Sequence, residues 1–150
     1  MSRLAKRRIC DSYPDITRLF RPGPASASAG IATRFGDWQR IDRDLTLLDT
    51  IGARVLTIRD DGYPKALRHI PDAPIVLYAR GSLVPGDRAL AVVGSRKASS
   101  EGMGLAGRIA ETLSLAGITI VSGLARGIDT AAHARALMGP SGTVAVLGCG

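Results

Sequence analysis

Between residues 87 and 150 the sequence repeats one theme, an apolar run that ends in glycine and gives way to a segment of helical periodicity. The runs are "ALAVVG" (89–94), "ITIVSG" (118–123) and "TVAVLG" (143–148). Between the first two, Leu105, Ile109 and Leu113 recur at i, i+4 and i+8, the repeat of a helix. Continuous apolar strands joined by helical crossovers specify β-α-β-α-β with parallel strands, because a parallel sheet is buried on both faces. The expected class is α/β, a Rossmann-like doubly wound and mostly parallel sheet. The sequence stops at Gly150, directly after the third run, where a parallel sheet continues into another helix. The sheet is therefore expected to be incomplete there.

Upstream, the pattern is less regular. Trp38, Ile41, Leu45 and Leu48 give an amphipathic helix ending near Gly52, followed by the strand candidate "ARVLTI". Pro64 opens a brief helix carrying Ala66, Leu67 and Ile70, and "PDAPIVLYARG" reads as turn, strand and stop. Residues 1–34 are basic and then rich in Pro, Gly, Ser and Ala without hydrophobic period, as in a tail or linker of low order. The expected organisation is thus an extension (1–34), a small helical and extended lead-in packing on the core (35–86), and the first part of a Rossmann-like domain (87–150).

In open α/β sheets, ligands sit outside the carboxyl ends of the strands. The loop "GSRKASS" there has small residues that expose backbone N–H groups, a serine at 99 or 100 to cap the next helix, and the fork of Arg96. Gly94, Ser95 and Arg96 form a candidate anion seat, although pairing of Arg96 with an acidic surface neighbour is equally open. The loop "VSGLARGID" repeats the recipe with Ser122, Gly123, Arg126 and Gly127. Asp129 reads first as a capping or dipole-facing carboxylate, and His133, one turn on, as a hydrogen-bonded structural residue.

The spacing Gly102, Gly104, Gly107 matches the dinucleotide fingerprint G-x-G-x-x-G. It fails on position, because the strand ends at Gly94, and on its partner, because the second strand ends in "IVSG" rather than an acid. The triplet reads instead as close packing of the helix on its neighbours. A Walker loop is absent from the sequence. With no nucleophile and base pair, no metal-ligand spacing and no cofactor motif, the strand ends suit binding rather than catalysis, and neither a metal nor a cofactor is expected.

The formal charge of +7 favours a polyanionic partner, and +4 of it lies in residues 1–24. The cysteines, Cys10 and Cys149, have no C-x-x-C spacing and suggest reduced bystanders in a cytoplasmic protein. No apolar run is long enough to span a bilayer, and none follows the basic N-terminus to form a secretory signal.

Taken in order, "VVGSRKASSEG", "IVSGLARGIDTAAHARAL" and "TVAVLGCG" resemble the DNA-processing protein A family (DprA, also called Smf), with "DDGYPKALRHIPDAPIVLYARGSL" similar to the segment before its Rossmann-like domain. The resemblance covers residues 35–150. It implies a non-enzymatic protein of natural transformation that binds and protects incoming single-stranded DNA and helps load RecA, as a homodimer in its complete form. It implies a positively charged DNA pocket at Gly94, Ser95 and Arg96, extending to Ser122, Gly123 and Gly127, with Arg126 added on charge and position. Glu101 stands where the family often has an aromatic residue, which adds negative charge near the loop. The family's Tyr-Pro, Asn and DNA-holding lysine would lie beyond residue 150. At 4% aromatic residues, electrostatics and backbone amides are expected to carry more affinity than base stacking. The alternative is a nucleotide-processing hydrolase of related fold, of the phosphoribohydrolase kind, whose P-G-G-x-G-T-x-x-E signature does not occur here.

Overall fold

The computed structural model describes residues 38–82 and 88–148. The expectations for the 1–34 extension, Cys10 and Cys149 lie outside the described residues. The chain forms two compact units, Met1–Ser82 and Leu83–Gly150.

In the first unit, α1 (Trp38–Thr50) ends before Gly52, whose φ of +64° suits a residue without a side chain. The strand β1 (Ala53–Thr57) then pairs antiparallel with β2 (Val76–Arg80), Ala53 opposite Arg80 and Thr57 opposite Val76. Between them Pro64 opens the short helix α2 (Lys65–Arg68). Tyr63, 1% exposed, anchors this connection: its hydroxyl donates to the Pro74 carbonyl at 2.7 Å and its ring lies 5.8 Å from the Arg68 guanidinium carbon. Leu56 and Ala79 are the other buried apolar residues described in this unit.

The second unit runs β3 (Ala89–Ala91), α3 (Ser100–Leu115), β4 (Thr119–Ser122), α4 (Ile128–Ala136) and β5 (Thr143–Ala145). The strands are parallel in the order β3-β4-β5, with Leu90 opposite Ile120 and Ile120 opposite Thr143. This is the α/β architecture expected from the glycine-ended runs. Ile120 is fully buried and shares one cluster with Ala110 of α3 and with Ala132 and Ala136 of α4, while Val92 and Leu113 pack against it. Both helices therefore lie on the face to which Ile120 points. Strands added in one direction by right-handed crossovers produce this arrangement, and a doubly wound sheet fills its other face only after the strand order reverses.

The helices approach closely because their seam is built from small residues. Ala106, Gly107, Ala110 and Ser114 form the buried side of α3. The Ser114 hydroxyl donates to the Ala136 carbonyl at 2.7 Å, which also accepts from the Gly139 N–H at 3.2 Å, so one carbonyl ties the end of α4 to α3. At the rim, Arg135 donates to Glu111 at 3.2 Å. The leucine spacing does not mark this seam: Leu105 is 53% exposed and Ile109 is 45% exposed, and only Leu113 of the three packs against the core. The glycine triplet also divides. A methyl group at Gly107 would lie 2.9 Å from the Arg135 Cγ, whereas one at Gly102 or Gly104 would meet its nearest neighbour at an ordinary 3.5 Å. Close packing, expected of all three, is confined to Gly107.

Just beyond α4, a methyl at Gly139 would lie 2.7 Å from the Ser114 carbonyl carbon and 2.8 Å from the Leu115 nitrogen. These are backbone atoms that a rotamer change cannot move. Gly139→Ala is expected to destabilise the second unit by about 2 kcal/mol, seen in urea unfolding as a lower midpoint at unchanged slope.

Candidate functional site

Three parallel strands deliver their carboxyl ends to one edge, and hydrogen bonds tie those ends together. The Val92 N–H donates to the Val121 carbonyl at 2.9 Å, and the Val146 N–H to the Ser122 carbonyl at 2.9 Å. The Ser122 hydroxyl, buried, donates to the Val92 carbonyl at 2.6 Å.

The loop after β3 is shaped by its contact with α4. A methyl at Gly94 would lie 2.7 Å from the Ile128 Cγ1, so the strand passes over Ile128 only with glycine there. Gly127 has φ +86° and abuts the Ser95 carbonyl oxygen, where any Cβ would collide, also reaching within 3.0 Å of the Arg96 Cα. The Ile128 N–H donates to that same Ser95 carbonyl at 3.2 Å. The Ser95 hydroxyl accepts from the Lys97 N–H at 3.0 Å, which folds the loop back on itself. Ser99 then caps α3, its hydroxyl oxygen accepting from the Gly102 N–H at 3.1 Å. Glu101, in the first turn, has its carboxyl held below the usual carboxylate range by its own backbone N–H and then by the Ser99 hydroxyl.

The loop after β4 is fastened from below. The Asp129 Oδ2 accepts from the Gly123 N–H at 3.1 Å and the Ala125 N–H at 3.4 Å, and the Leu124 N–H between them donates to the His133 Nε2 at 3.2 Å. An Nε2 that accepts fixes the proton on Nδ1. That nitrogen donates to the Thr143 hydroxyl at 2.8 Å, whose own hydrogen goes to the Ile120 carbonyl at 2.7 Å. Both ring nitrogens are thereby used, and His133 is structural, as its place on the helix suggests. Asp129 does more than its spacing indicates, because it holds the preceding loop rather than capping its own helix. An Asp and a His four residues apart, directly after a glycine-bounded loop, are the sequence signal of this clasp.

Of the seven candidate residues, Gly94, Ser95, Arg96, Arg126 and Gly127 meet where the two loops touch. Ser122 and Gly123 stand at the adjoining strand end, with their hydroxyl and amide engaged inside the protein. The side chains of Arg96, Lys97 and Arg126 are exposed, and among the described residues none of them has an ion-pair partner. The edge thus offers guanidinium and ammonium groups on a backbone fixed by glycine contacts, an arrangement suited to phosphate oxygens. No cluster of three or more His, Cys, Asp or Glu placed to hold a metal ion occurs among the described residues.

Asp129→Ala leaves two loop amides without their acceptor. It is expected to destabilise by about 2 kcal/mol and to speed hydrogen exchange at Gly123 and Ala125 relative to the α3 amides. For Glu101, the lowered carboxyl means that its stabilisation is present above the unfolded-state pKa and is lost as pH falls through the folded value. The stability difference between the protein and Glu101→Gln should therefore shrink on acidification, measured by denaturant unfolding at a series of pH values.

The sequence pattern of the family described as DNA recombination-mediator protein A matches residues 54–150. The DNA processing protein DprA of Streptococcus pneumoniae is 44% identical over 95 residues, which is 63% of this chain and 33% of that protein. The protein Smf of Escherichia coli is 38% identical over 122 residues, or 79% of this chain and 33% of that protein. The chain thus spans about a third of the length of these relatives. Among solved structures, DNA processing protein A of S. pneumoniae superposes with a TM-score of 0.58 at 36% identity, covering 82% of this chain and 46% of that one. DNA processing protein A from Helicobacter pylori, whose structure addresses its single-stranded DNA binding mode, gives a TM-score of 0.51 at 29% identity over 61% of this chain and 41% of that one. On the match across residues 54–150 and these likenesses, the chain belongs to the DNA recombination-mediator protein A family.

Proposed function

We propose that this chain binds single-stranded DNA through its sugar-phosphate backbone at the carboxyl edge of the β3-β4-β5 sheet, and that it does so without catalysing a reaction. The observation that carries this reading is that the exposed cations Arg96 and Arg126 adjoin the Gly127–Ser95 contact, one on each loop, with no ion-pair partner for either among the described residues. Gly94, Ser95 and Gly127 set the approach of the two loops, and Ser122 and Gly123 hold the strand end beneath them. The single-stranded DNA binding mode described for the H. pylori relative supports the same ligand. No helix among the described residues is long and apolar enough to cross a membrane. Within the cell we assign the complete protein to the cytoplasm, as a homodimer that protects incoming DNA and helps load RecA. These last roles rest on membership of the family.

Phosphate contacts release counterions, so affinity must fall with salt. The slope of log affinity against log salt should weaken by about 0.7 when Arg96→Ala removes one contact to a single strand, and by about twice that in Arg96→Ala with Arg126→Ala. Fluorescence anisotropy with an oligothymidylate across a salt series measures this. Affinity that is flat with salt, or a slope that neither substitution changes, would refute the assignment.

A further inference from the structure

We propose that Leu124 is a nucleobase contact at this edge, so that the site grips unpaired bases as well as phosphates. The proposal rests on the single-stranded DNA reading above and deepens it. Leu124 is the one non-glycine with positive φ among the described residues, at +56°, and its side chain is 56% exposed. A left-handed conformation disfavours an L side chain and is ordinarily filled by glycine or asparagine. The neighbouring loop positions Gly123 and Gly127 show that glycine is used freely here.

The clasp beneath explains how the conformation persists. With the amides of 123, 124 and 125 all donating to Asp129 and His133, the backbone of Leu124 is held from one side while its isobutyl group stands in solvent. Strain of this kind, kept in place by surrounding bonds, clusters at ligand-binding sites. The loop continues within two residues to Arg126 and within three to Gly127, which touches Ser95 and Arg96. An apolar group beside unpaired cations suits a single strand, whose phosphates are charged and whose unstacked bases offer flat faces to pack on. Among the described residues of the second unit there is no Phe, Trp or Tyr, and Leu124 is the exposed apolar group of this loop.

Leu124→Gly separates contact from conformation, since glycine accepts +56° and removes only the side chain. The full chain would be titrated with a labelled oligothymidylate and with an abasic deoxyribose-phosphate oligomer of equal length, at one salt concentration and across a salt series. We expect oligothymidylate binding to weaken about 5-fold, from the apolar area left in water, with binding of the abasic oligomer and the salt slope unchanged. The melting temperature should be equal or higher, because the backbone strain is relieved. Leu124→Phe, which restores an apolar face, should regain the preference for oligothymidylate over the abasic oligomer. Unchanged oligothymidylate binding by Leu124→Gly, or equal weakening toward both oligomers, overturns the base contact. Failure of the unsubstituted protein to bind either oligomer overturns the DNA reading itself and this contact with it.

Discussion

The contact between Gly127 and the carbonyl of Ser95 governs the geometry of the whole edge. With the Ile128 N–H donating to that carbonyl at 3.2 Å, the start of α4 is fixed against the loop after β3. Gly94 and Gly127 admit the contact from the two sides, one by passing over Ile128 and the other by adopting φ +86°. A side chain at either position would push the loops apart, and Arg96 and Arg126 with them. The same bond uses a first-turn amide of α4 that could otherwise face an anion. At α3, the Gly102 amide donates to Ser99 and the Glu101 carboxylate lies over the helix start. Neither helix N-terminus is therefore a bare phosphate seat of the kind that serves nucleotide-binding loops. The cationic side chains carry the positive potential of the edge, and the helix ends serve chiefly to position them.

Beneath the edge, small residues decide where the helices can lie. Gly107 against Arg135, and Ser114 against the Ala136 carbonyl, let α3 and α4 sit side by side over Ile120. Shorter distances between helix axes come from missing side-chain volume, and they turn the larger residues outward. Leu105 and Ile109 consequently face solvent, although their spacing is that of an amphipathic helix.

What could be read directly from the sequence was whatever depends on local periodicity. The three apolar runs, the glycines that end them, the start of α1 near Trp38 and the serine cap of α3 are properties of a few adjacent residues. The same holds for the failure of the Gly102, Gly104, Gly107 spacing as a dinucleotide fingerprint, since that follows from the distance to Gly94 alone. What the sequence concealed depends on residues brought together by the fold. Ser122 is a small polar residue at a strand end, and only the ladder shows that its hydroxyl is committed to the Val92 carbonyl 30 positions upstream. Gly104 and Gly107 are equivalent in the pattern, and only the approach of Arg135 distinguishes them. That Arg96 has no ion-pair partner among the described residues is likewise a fact of the three-dimensional neighbourhood.

His133 shows why the clasp under the second loop favours a rigid edge. Its ring accepts at Nε2 and donates at Nδ1, and Thr143 relays the donation to the Ile120 carbonyl, so one polar chain crosses from the loop to β5 and β4. Each member has a single orientation that satisfies its neighbours, which removes alternative tautomers and hydroxyl rotamers. Under the function proposed above, a loop fastened in this way gives up little further freedom when its ligand binds, and affinity gained from a small number of cations is not offset by ordering the backbone that carries them. Single-stranded DNA brings the opposite property, a flexible chain that must itself be ordered. For such a ligand a preformed edge is the favourable partner, because only one of the two chains has conformational entropy left to lose.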